Sequence, residues 1–118
     1  VSAELIDQLV AHIAQWDWTT FAEIGRLVSA DGIPTEGTYA LEVVPNGLMW
    51  AGMSQQYAEI VDQLRRDPRV AVAICSPLSY VADGQMLRHP VAASLPGPDG
   101  YAEPRWLPTA FRPAGATR

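Results

Sequence analysis

The sequence predicts an α+β fold of three helices and two β-hairpins, with an extended proline-rich arm at the C-terminal end. Three observations lead there. Apolar residues recur at helical spacing over residues 3–15 and 55–66, an Asn-Gly pair separates two β-rich runs within 38–51, and prolines crowd the last third of the chain. At 118 residues, 48% apolar and 18% charged, the chain is long enough to hide a core without disulfides or metal. It is too apolar and too weakly charged for a disordered tail. Residues 1–90 are expected to form the domain and 91–118 the arm packed on it, with a loose end from about residue 113.

The elements follow in order. Leu5, Ile6, Leu9, Val10 and Ile13 fall on one helical face, and Glu4, Asp7, Gln8, His12 and Gln15 fill the other. Trp16-Asp17-Trp18 interrupts that pattern, and Thr20 with Glu23 three residues on has the spacing of a capping box. A short second helix carrying Phe21, Ile24, Leu27 and Val28 is predicted to end near Ser29, where Asp31-Gly32-Ile33-Pro34 breaks the chain. Tyr39, Leu41 and Val43 alternate with Ala40, Glu42 and Val44, and Pro45-Asn46-Gly47 turns the strand back through Leu48-Met49-Trp50-Ala51. Ser54 is the expected N-cap of a third helix over 55–66, with Tyr57, Ala58, Ile60, Val61 and Leu64 as its core stripe and Asp67-Pro68 as its stop.

Val70-Ala71-Val72-Ala73-Ile74 is apolar on both faces and predicts a central strand. Two short runs around Asp83-Gly84, residues 78–82 and 85–88, predict a second hairpin. Beyond Pro90, the prolines at 96, 98, 104, 108 and 113 remove backbone donors, while Tyr101, Trp106, Leu107 and Phe111 carry large burial energies, hence the arm. The four tryptophans, Trp16, Trp18, Trp50 and Trp106, are expected to be core residues.

Chemistry-bearing patterns are few. Cys75 is the only cysteine, so neither a disulfide within the chain nor a cysteine zinc cluster can form. It follows an apolar strand with no neighbouring cation, which predicts an inert thiol. The longest apolar run, 70–75, is far short of the ~20 residues a membrane helix needs, and Glu4 and Asp7 stand where a signal peptide would be basic; the expectation is a cytoplasmic protein. All eight basic residues are arginine, so a lysine-bearing phosphate loop is excluded. His12 and His89 read as surface histidines. No nucleophile–base pair, no separated carboxylate pair and no ligand cluster is visible, which predicts neither catalysis nor a metal or cofactor. The formal charge of −5 opposes a phosphate backbone, although Arg65, Arg66 and Arg69 cluster and Arg88, His89, Arg105, Arg112 and Arg118 make the last third basic.

Two resemblances add to this reading. Ala30-Asp31-Gly32-Ile33-Pro34, Gly47-Leu48-Met49-Trp50 and Leu64-Arg65-Arg66-Asp67-Pro68-Arg69-Val70-Ala71 resemble the flavin-binding split-barrel family related to pyridoxamine phosphate oxidases. That resemblance implies FMN and oxidoreductase chemistry, although Ser54-Gln55-Gln56 supplies no cation where the family often holds the phosphate. The order helix, turn, helix, then a helix from Ser54 to Arg66 feeding a hairpin looks like a winged-helix domain with an inserted Tyr39 to Ala51 hairpin, and Trp18-Thr19-Thr20-Phe21-Ala22-Glu23-Ile24 reads like the start of a helix-turn-helix. Leu48-Met49-Trp50-Ala51-Gly52-Met53-Ser54, Tyr80-Val81-Ala82-Asp83-Gly84 and Pro104-Arg105-Trp106-Leu107-Pro108 are similar to small proteins of actinobacteria and their phages. The winged-helix-like likeness implies a binding or regulatory module that presents Gln55, Gln56, Glu59, Asp62, Gln63, Arg65 and Arg66 from the third helix. Because Glu59 and Asp62 repel phosphates, a protein partner is expected ahead of nucleic acid, with DNA left to a homodimer that pools its arginines.

Overall fold

A computed structural model of the chain describes residues 2–116. Helix α1 (Ala3–Trp16) begins at Ser2, whose hydroxyl accepts from the Leu5 N–H, and buries Leu5, Ile6, Leu9 and Ile13. It ends where Asp17 and Trp18 take positive φ, 54° and 43°, a backbone conformation that non-glycine residues hold only when their surroundings fix it. Arg112 does so: its guanidinium forks onto Asp17 at 2.9 and 2.8 Å and lies 4.1 Å over the Trp18 ring.

Strand β1 (Thr19–Thr20) leads into α2 (Phe21–Ala30), capped by the Thr20 hydroxyl on the Glu23 N–H at 3.1 Å. Only half of the predicted capping box forms, because the Glu23 carboxylate reaches His12 on α1 instead. The predicted hairpin is present as β2 (Glu36–Val44) and β3 (Gly47–Met53). Its loop is Pro45-Asn46, with Asn46 at φ 61°, while Gly47 already pairs with Val44; a Cβ at Gly47 would lie 2.7 Å from a Val44 methyl. Helix α3 (Gln55–Arg66) is capped by Ser54 and buries Tyr57, Ala58, Ile60, Val61 and Leu64, as its stripe predicts.

Beyond α3 the structure departs from expectation. Strand β4 (Val70–Ile74) is not central. The run predicted as a second hairpin is helix α4 (Leu78–Asp83), because Gly84 at φ 74° closes the last helical turn rather than a strand reversal. The stretch expected as an arm supplies β5 (Arg105–Trp106) and β6 (Thr109–Pro113). Among the described residues the chain therefore has four helices and two three-stranded sheets, in the orders β1-β6-β4 and β2-β3-β5. The winged-helix-like arrangement of three helices and two simple hairpins is corrected accordingly. The expected loose end falls partly outside the description, at residues 117–118 with Arg118; before it, the Ala114 N–H still bonds the Arg69 carbonyl.

The core gathers between α1, α2, α3 and the two sheets, and an aromatic cluster forms its centre. Tyr80 of α4 stacks on Trp50 at 5.2 Å and meets the edge of Trp106 at 5.0 Å, and Phe111 packs on Phe21 at 5.0 Å. The Tyr80 hydroxyl accepts from the Phe21 N–H and donates to the Thr109 carbonyl, tying α2 to β6 through α4. Burial pushes the Tyr57 and Tyr80 phenols well above their ordinary range. Trp50 and Trp106 are core as expected; Trp16 and Trp18 are exposed. No helix among the described residues is long and apolar enough to cross a membrane.

Candidate docking surface

The seven residues singled out on α3 share one face, as their spacing requires. Gln55, Gln56, Glu59, Gln63 and Arg66 are exposed, and Asp62 and Arg65 are half-buried. Asp62 holds both arginines at 2.9 Å, and Arg65 also lies against the Met49 sulfur. The positive charge of this face is thus met by its own carboxylate, which leaves little of it for a phosphate backbone. Among the described arginines only Arg88 has no carboxylate within ion-pair reach.

A hollow of about 890 Å³ opens between α2, β3 and residues 85–88. Arg26, Glu36 and Arg88 line it, but Arg26 is held by Asp83 at 3.2 Å and no nucleophile–base pair converges there. Among the described residues no three His, Cys, Asp or Glu side chains gather to hold a metal. His12 is half-buried against Glu23. Cys75 is half-buried, and burial pushes its thiol above the ordinary value while a Ser79 hydrogen bond opposes this, so the protonated, unreactive form is favoured.

The surface that stands out is apolar and surrounds β4. Val72 and Ile74 are 36% and 48% exposed, with Val43, Val91 and Leu95 exposed nearby, Leu95 at 76%. A groove of about 420 Å³ runs between the sheets, walled mainly by Val43, Met49, Val72, Ile74 and Leu107, with Arg65 its one charged lining residue. A second hollow of about 250 Å³ shares Ile74 and Leu107 and adds Val91 and Leu95; a third holds Ile74, Cys75 and Trp18. Ile74 belongs to all three, so the patch is continuous. Thr109 also lines the groove, and its buried hydroxyl has no partner among the described residues.

The backbone of β4 is open on the same side of the sheet. The Cys75 N–H bonds the Pro108 carbonyl and the Ala114 N–H bonds the Arg69 carbonyl, both at 2.9 Å. In the continuous antiparallel register between them, residues 69, 71, 73 and 75 face β6. Val72 and Ile74 therefore aim their N–H and C=O groups away from β6, where no strand pairs among the described residues. Sheet edges are ordinarily guarded by charge, proline or a bulge; Val70–Ile74 has none of these. Sequence reasoning missed this surface because a strand apolar on both faces reads as central. The absence of any charged residue from Val70 to Ala82 was the available signal.

Comparison with family models, curated proteins and solved structures finds no match for this chain. The split-barrel resemblance does not fit the geometry. The strands form two separate three-stranded sheets rather than one closed barrel. At the position compared with the family's phosphate site, the Ser54 hydroxyl is already engaged, accepting from the Tyr57 N–H and donating to the Pro34 carbonyl.

Proposed function

We propose that this chain is a non-catalytic binding module whose partner is a protein, docked on the open β4 edge and the apolar groove beside it. One observation carries the reading: the exposed apolar residues are contiguous, and they coincide with unpaired backbone groups of a strand that lacks edge protection. Strand addition uses this combination, main-chain hydrogen bonds for affinity and flanking pockets for alternate side chains. The polar α3 face is the rim of such a surface rather than its centre, since rim charges steer encounter more than they hold a complex. A formal charge of −5 and the internal pairing of Arg65 and Arg66 favour a protein over a nucleic acid.

A photo-reactive amino acid placed at Ile74, and separately at Glu59, tests this in the cells that make the protein. The reading expects a discrete protein adduct at position 74 that disappears when Val72→Lys is added. Adducts only at position 59, or a salt-sensitive DNA gel shift without any adduct at 74, would overturn it.

A further inference from the structure

Resting on that reading of the β4 edge, we infer that the strand it accepts is β4 of a second copy, joined antiparallel about a two-fold axis. The sequence of β4 is self-complementary in a particular register. Only Val72 and Ile74 offer outward N–H and C=O groups, so the hydrogen-bonded pairs must be built from them. Setting Val72 opposite Ile74 of the second copy satisfies both residues on both strands and centres the axis on Ala73, a non-hydrogen-bonded pair. On the groove face this stacks Val72 on Ile74 of the second copy. On the other face it sets small residues together, Ala73 on its own counterpart and Ala71 on Cys75 of the second copy, which lets two strands approach closely.

Charge permits the pairing. From Val70 to Ala82 there is no ionisable side chain other than Cys75 and Tyr80, so no like charges face each other across the axis. The charges around the edge are already paired: Arg69, next to the strand in the chain, with Asp67 and Asp7 at 2.8 and 3.0 Å, Arg65, which lines the groove, with Asp62 at 2.9 Å, and Arg112, opposite Ala71, with Asp17 at 2.8 Å. The β1-β6-β4 sheet of one copy would then run on into that of the other, removing the exposed β4 edge in each copy. Two bodies of the same net charge repel at long range, so this association strengthens as salt is added, opposite to docking of a basic partner.

The test combines sedimentation equilibrium with cysteine cross-linking on the full chain. In a Cys75→Ser background, Ala73→Cys is treated with oxidised glutathione. The paired Cα atoms lie about 4.5 Å apart in a non-hydrogen-bonded pair, within disulfide reach. We expect a concentration-dependent dimer that tightens with salt. We also expect a disulfide-linked dimer from Ala73→Cys and not from Arg66→Cys, and at least about a tenfold weaker association for Val72→Lys, whose charge blocks the edge. Near-ultraviolet circular dichroism of the tryptophan cluster confirms that each variant is folded. A dimer that Ala73→Cys does not capture overturns the inference, because it forms through another surface.

A chain that stays monomeric also overturns it, and an edge peptide then separates the two failures. The probe is a synthetic copy of residues 69–76 with serine for the cysteine. If it binds the monomer, the edge accepts a strand but not a second copy; if it does not bind, the docking reading falls as well.

Discussion

Strands β4 and β6 lie side by side, paired residue for residue, and their environments are opposite. Strand β6 contains a threonine, an arginine and a proline, yet Thr109, Ala110, Phe111 and Arg112 are buried. Strand β4 is wholly apolar, yet only Val70 is buried. Val72 stands directly opposite Phe111, one at the surface and the other fully enclosed. The difference teaches that the apolar content of a strand does not fix its depth. Position in the sheet is decided by which strands pair, and β6 is central because β1 and β4 both bond to it. An apolar strand left at the edge then has surface to give to another chain.

The comparison breaks most visibly at Phe111. Phe111→Ala is expected to cost about 3–5 kcal/mol in chemical denaturation, the usual loss for an enclosed phenyl ring. An effect of less than about 1 kcal/mol would mean that β6 does not anchor the core. Tyr80→Phe removes the hydroxyl that bridges the Phe21 N–H and the Thr109 carbonyl. It should cost about 1–3 kcal/mol by the same measurement, since two buried backbone groups lose their partner.

A third prediction concerns pH. The Arg112 hydrogen bonds hold the Asp17 carboxyl below its ordinary value of 3.8, against an opposing push from burial. A depressed carboxylate contributes stability that is present above its unfolded value and lost as pH falls through the folded one. The native chain should therefore lose stability below about pH 4, and Arg112→Gln should make that loss shallower while lowering stability at neutral pH. Asp67, held near 2 by Arg69 on the surface, acts in the same direction and remains in the variant. An unchanged acid limb in thermal melts of Arg112→Gln would show that the Asp17 contact is not formed.

The smallest effect belongs to β4. Val72→Thr should change stability by no more than about 0.5 kcal/mol, as surface substitutions do. A loss near that of Phe111→Ala would mean that β4 is covered within its own chain.

Much of the architecture was legible in local pattern. The stripes of α1, α2 and α3, the Ser54 cap and the existence of the first hairpin are short-range features, written in spacing and turn chemistry, although its loop is Pro45-Asn46, one residue before the Asn-Gly pair that predicts it. Asp83-Gly84 was ambiguous, because a glycine at positive φ serves a helix end as well as a hairpin, and only the burial of Tyr80 against Trp50 and Trp106 selects the helix. The places of β5 and β6 were not legible, since β6 pairs with β1 across some ninety residues of chain. Of the candidate site, the polar face of α3 could be read from helical spacing. The β4 edge could not, because being an edge depends on the absence of a neighbour rather than on any residue of the strand. Trp18 misled in a similar way: its ring lies at the surface under Arg112, a partner that is close only in the folded chain.

Amide hydrogen exchange along β4, followed at low and at high protein concentration, addresses the open edge most directly. At low concentration Ala71 and Ala73, bonded to β6, should exchange slowly while Val72 and Ile74 exchange fast, and raising the concentration should slow Val72 and Ile74 alone. Uniformly slow exchange at every concentration would contradict the account, because it would mean that this edge is already satisfied inside a single chain.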